Sequence, residues 1–205
     1  MARRKQAAHS PACQRGVNPV REIQRQVVLV SLVEELTRQG SWSSETHLQK
    51  AVYFLQEALN VPLELEFILY KHGPFSFELR ELLGEMRAGS VISVRVRPAP
   101  YGPSLEPGAA FELLSKSYPK TYRRYARQVE YVANKLAKKD VGELERLGTA
   151  LYVSREWPEL SSAGKAEKIV DLKPHVSDEA AHQAIEQFAR FAKAAPLAKP
   201  GAKRN

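Results

Sequence analysis

Apolar positions recur at three- and four-residue steps along most of this chain, and only short stretches alternate. Ile23, Val27, Val30 and Val33, with Val28, Leu29, Leu32 and Leu36 beside them, predict a mostly buried helix over 21–39 that stops at Gly40. Ser43 or Ser44 offers an N-cap for a second helix, whose stripe of Leu48, Val52, Leu55 and Leu59 runs up to Asn60 and Pro62. Leu63, Leu65, Phe67 and Leu69 then alternate with Glu64, Glu66, Ile68 and Tyr70, a period of two that predicts a strand over 63–70. Lys71-His72-Gly73-Pro74 reads as a turn, after which Leu79, Leu82, Leu83 and Met86 restart the helical period over 75–87. The β-branched run 91–97 predicts a strand, a Pro-rich loop follows, and a return strand is expected near 110–114.

The second half is helical throughout. Tyr122, Tyr125, Val129, Val132 and Leu136 mark an amphipathic helix over 118–139, and Leu144, Leu147, Ala150 and Leu151 mark another over 141–155. A shorter helix is expected near 163–171, and Ser177 caps a last one that carries Ile185, Phe188 and Ala189 on its apolar side. The fold class is therefore α+β, mainly α-helical. The element order of residues 20–115 resembles a winged helix with a β-hairpin, and 116–192 forms a helical second half of the same domain. Residues 1–19 and 193–205 lack periodicity and read as disordered basic tails.

Composition adds two constraints. A single cysteine among 205 residues excludes a disulfide framework, and no run of apolar residues is long enough to span a bilayer. The charged, Pro-containing start lacks the apolar centre of a signal peptide, so a cytoplasmic chain is expected. The net charge of +8 suggests nucleic acid until it is divided by position. Residues 1–26 and 190–205 each carry +5, while 27–189 carries −2 with one basic segment, 116–139, at +7. The body of the protein is not basic.

The motifs of catalysis are missing. There is no Gly-x-Ser-x-Gly turn, Cys13 sits in the tail, and Gly164-Lys165 lacks the upstream glycine of a phosphate loop. His175, Asp178, Glu179 and His182 have helical ligand spacing, but Ser177 as N-cap leaves His175 outside the helix, so no metal or other cofactor is expected. His47 and His72 beside turns read as hydrogen-bonded structure, and Glu64 with Glu66 as a solvated strand face. No catalytic residue is nominated and no enzyme is expected.

His47-Leu48-Gln49-Lys50-Ala51-Val52-Tyr53 and Tyr70-Lys71-His72-Gly73-Pro74-Phe75-Ser76 resemble the Leu-Gln-Lys-x-x-Tyr helix and Tyr-x-x-Gly-Pro turn of the Panacea antitoxin domain, which includes SocA-type proteolysis adaptors. With Thr149-Ala150-Leu151-Tyr152-Val153 and Lys173-Pro174-His175, the run over about 45–190 is more similar to the uncharacterised YwgA-type relatives. The resemblance implies a prokaryotic, non-enzymatic domain that binds a protein, such as a toxin encoded beside it. Gln49, Lys50 and Tyr53 lie off the apolar stripe and are expected, with His72, Phe75 and Tyr101, to meet that partner. The alternative is a DNA-binding regulator using Arg95 and Arg97 on the wing and Arg123, Arg124 and Arg127 on the basic helix. Glu78, Glu81 and Glu85 on the helix that would enter the major groove count against it.

Overall fold

A computed structural model of the chain describes residues 22–96 and 102–195. The protein is α+β and mainly helical, with 67% helix and 8% strand among the described residues. Helix α1 (Glu22–Arg38) is buried over the unbroken run Val27–Val33, so it is a core helix of the protein. Helix α2 (Glu45–Tyr53) starts at Ser44, whose hydroxyl accepts from the His47 amide, and it continues into a π-helical turn, Phe54–Ala58. The chain leaves that turn through Asn60, at φ 55°.

The expected strand over 63–70 is largely corrected. Burial does alternate there, with Leu63 and Leu65 inside and Glu64 and Glu66 outside, but only β1 (Ile68–Tyr70) pairs. Leu65 is instead bracketed by the Gln56 side chain, which accepts from its amide and donates to its carbonyl at 2.9 Å each, and Glu64 sits at φ 55°, which breaks the pleat. The partner of β1 is β2 (Gly73–Phe75), part of the segment expected as a turn, in register Ile68↔Phe75, Leu69↔Pro74 and Tyr70↔Gly73. Helix α3 (Phe77–Ala88) follows, capped by Ser76.

A second hairpin joins β3 (Ile92–Arg95) to β4 (Ser104–Pro107). The return strand thus comes earlier than expected, and of residues 110–114, Ala110 precedes helix α4 (Phe111–Ser117) and the rest belong to it. Spacing explains the error: Phe111 and Leu114 are three apart and both rest on the main core, a helical step rather than an alternating one. The two hairpins stay separate antiparallel pairs rather than sharing one sheet.

Helix α5 (Pro119–Leu136) lies along α1 and buries Tyr125, Val129, Val132 and Leu136. Helix α6 (Val141–Glu156) opens with a capping box between Asp140 and Glu143, and like α1 it is buried almost all round. Helices α7 (Ser162–Leu172) and α8 (Asp178–Ala194) pack on α6 around a smaller core of Val153, Ile169 and Ile185. Ser177 is the cap of α8 as expected, while α8 runs two residues past the expected start of the tail at 193 and ends against buried Ala195. The larger core crosses the chain midpoint, joining Leu29 and Phe54 to Leu151 and Phe191. Among the described residues no helix is long and apolar enough to cross a membrane.

Candidate functional site

The two short motifs of the first half meet in space, and they meet through hydrogen bonds inside the protein. The Gln49 side chain donates to the Ser76 carbonyl and accepts from the Ser76 amide, both at 2.9 Å, so α2 grips the end of the Gly73-Pro74-Phe75-Ser76 segment as a strand partner would. Gln49, Lys50 and Tyr53 are 0, 2 and 3% exposed. The expectation that they lie off the core and offer themselves to a partner is therefore corrected: α2 is covered on both sides, by the β1–β2 hairpin and by α6.

Backbone shape allows this close assembly. Gly73 adopts φ 83°, and a Cβ on it would lie 3.3 Å from the Glu145 carbonyl oxygen. Across the same contact, a Cβ on Gly148 would lie 3.2 Å from Pro74 Cδ. Helix α6 thus presses directly on the hairpin, and that contact carries Glu145 inward.

Glu145 is the centre of a charged cluster. Its side chain is 9% exposed, and the Lys173 ammonium stands 3.6 Å from its Oε1. Lys173, itself 7% exposed at the C-terminal end of α7, donates to the Tyr70 and Lys71 carbonyls at 2.6 and 2.5 Å, closing the turn of the hairpin from outside. His175 Nε2 approaches Glu145 Oε1 at 3.2 Å, and His72 Nδ1 approaches Oε2 at 3.5 Å. Geometry denies Oε1 a proper hydrogen bond, so its approaches to Lys173 and His175 are close contacts rather than locked pairs. Behind them lies Lys50, whose ammonium is pushed down to about 8 chiefly by burial, with the Lys173 charge adding to the effect and Glu145 opposing it. The imidazoles, both about 60% exposed, edge an open recess of about 500 Å³ that Lys71 and Pro174 also line.

A second feature adjoins the first. Tyr70 and Phe77 are 55 and 50% exposed, Ile68 is 41% exposed, and half-buried Phe75 lies between the two rings, with centroids 5.9 Å from Tyr70 and 5.1 Å from Phe77. Tyr70 and Phe77 also meet edge-on at 6.0 Å. The aromatic cluster occupies the hairpin and the first turn of α3, and the recess begins at the turn of that same hairpin.

The other residues singled out from the sequence are scattered. Tyr101 and Arg97 lie outside the described residues. Arg95 pairs with Glu106 at 3.2 Å across the β3–β4 hairpin. Arg123, Arg124 and Arg127 are exposed along α5 with Lys120, at steps that place them on one side of the helix. His175 faces Glu145 while His182 turns back to the Asp178 carbonyl at 3.0 Å, which separates the two histidines considered as ligands. Among the described residues no group of three acidic, histidine or cysteine side chains is placed to hold a metal ion. His47 is buried and held near about pH 4 by desolvation, so it is a neutral core residue.

Glu145 and Lys173 were missed in the sequence. The signal for Glu145 was the run Leu147-Gly148-Thr149-Ala150-Leu151, free of charge and too apolar for one exposed face, which marks α6 as a central helix. Compared with known proteins, the chain matches no family model and no curated protein.

Proposed function

We propose that this protein is a cytoplasmic, non-enzymatic protein-interaction module of antitoxin or proteolysis-adaptor type, similar to the Panacea domain. The observation that carries the reading is the exposed aromatic cluster of Tyr70, Phe75 and Phe77 with Ile68. Large side chains partly out of water, already packed edge to face on each other and held by a hydrogen-bonded hairpin, are the anchors that a protein interface uses. The motif residues Gln49, Lys50, Gly73 and Pro74 support the cluster from beneath, as positioning residues for the surface. A winged-helix regulator is the second reading, favoured by the basic side of α5, and it predicts salt-sensitive DNA affinity lost on Arg123→Glu plus Arg127→Glu.

The test is capture of partners from the native host by tagged protein, at moderate salt with nuclease present, using the full chain and its Tyr70→Ser plus Phe77→Ser variant. A stoichiometric protein held by the wild type and lost by the variant is expected. Equal retention by both, or retention only when nuclease is omitted, refutes the assignment.

A further inference from the structure

Counting charge around Glu145 exposes an imbalance. One carboxylate serves two buried ammonium groups, Lys50 and Lys173, and among the described residues it is the only acid lining the recess, whose other titratable walls are Lys71, His72, Lys173 and His175. Buried charge is costly unless compensated, and here the compensation stops one carboxylate short.

The open side of the recess is arranged to supply the missing charge from outside. His72 approaches Glu145 with Nδ1 and His175 approaches it with Nε2, so each ring has a second nitrogen outside that contact. Glu145 Oε1 makes no hydrogen bond to His175, and both rings are about 60% exposed, so an incoming oxygen can reach them. A volume of about 500 Å³ admits a carboxylate with its stem, whereas a bare ion would leave most of it empty.

We infer that this recess receives an acidic side chain of the protein partner, gripped between His72 and His175 above the Lys173–Glu145 pair. The inference rests on the interaction reading and adds the chemistry of the partner: an apolar or aromatic anchor on the Tyr70–Phe77 cluster, followed by Asp or Glu at the hairpin turn. The two contacts share one hairpin, since Tyr70 belongs to the cluster and the next two residues, Lys71 and His72, line the recess.

The probe is N-acetyl-glutamate amide, with N-acetyl-glutamine amide and inorganic phosphate as controls, followed by the imidazole proton signals of the full chain. His72→Gln and His175→Gln single variants assign the two signals, and both sites are exposed enough to accept the change without unfolding. Saturable shifts at His72 and His175 with the glutamate amide, at a dissociation constant of about 1–10 mM, are expected. The glutamine amide should produce none, and each single variant should bind at least about threefold more weakly, read at the imidazole that remains. The Tyr70→Ser plus Phe77→Ser variant should keep this response while losing the partner, so the two readings can fail separately. No saturable shift, or tighter binding of phosphate than of the glutamate amide, overturns the inference.

Discussion

Lys50 gives the sharpest test of the charged cluster, because its cost can be worked out and isolated. Replacing it by Met keeps an unbranched stem between Gly73 and Gly148 and removes the ammonium. In the unfolded chain the amine holds its proton to about pH 10.5, whereas in the fold it gives it up near about 8. Between these values the unfolded state carries one more proton than the folded state, so stability rises with pH. Below about 8 both states are protonated and the penalty for burying the charge is fully present. The interval of about 2.5 units, at 1.36 kcal/mol each, amounts to about 3 kcal/mol. Denaturant unfolding of wild type and Lys50→Met from pH 7 to 10.5 measures it, and the difference cancels every other group that titrates identically in both. The wild type should gain about 3 kcal/mol relative to the variant across that range, with little relative change below pH 7.5. Parallel stability curves would refute the reasoning, since Lys50 would then titrate as it does in water.

His47 works in the opposite pH range: burial holds it neutral down to about 4, while the unfolded ring protonates near 6.5, so acid favours the unfolded state. The wild type should lose about 3 kcal/mol relative to His47→Gln as pH falls from 7 to 4, read by urea unfolding. Gln49→Ala leaves the buried amide of Ser76 without its partner and its carbonyl with the Arg80 amide alone, and should cost about 1–3 kcal/mol, detected as a lower urea midpoint with an unchanged slope. Gly73→Ala should destabilise by about 1–3 kcal/mol, because its φ of 83° and the nearby Glu145 carbonyl both resist a Cβ. Asp140→Ala removes half of the capping box and should cost about 1 kcal/mol in the same assay.

Helices were readable because their signals are local. The apolar stripes of α1, α2 and α5 and the caps at Ser44 and Ser177 depend on residues within a turn or two of each other, and these elements lie where the spacing places them. The strands were harder because alternation reports a buried face, not a hydrogen-bonded neighbour. Residues 63–67 alternate as expected, yet the Gln56 side chain occupies the groups a strand partner would take. The same logic misplaced the motif residues. Gln49 and Lys50 are polar and off the Leu48-Val52-Leu55 stripe, which suggests exposure for a helix touching one layer. Helix α2 touches layers on both sides, and that follows only from contacts with residues 73–76 and 145–148, far away in sequence.

Burial of the motif changes what it can mean. A Lys at 2% exposure and a Gln spending both its polar atoms on Ser76 cannot contact a partner in this fold, so their chemistry must act through what they hold in place. What they hold is the β1–β2 hairpin, which is too short to be stable alone and depends on Gln49 from below, Gly148 from behind and Lys173 across its turn. That hairpin presents Tyr70 on one side and His72 at its tip. An apolar core would support it more cheaply than two ammonium groups and a carboxylate, because a buried ion cluster is seldom the most stable solution. Retaining the ions makes physical sense if the excess positive charge is used at the surface, where the recess opens. On the proposed interaction reading, the polar motif and the aromatic cluster would act as two layers of a single docking device, the inner layer setting the charge that the outer layer presents.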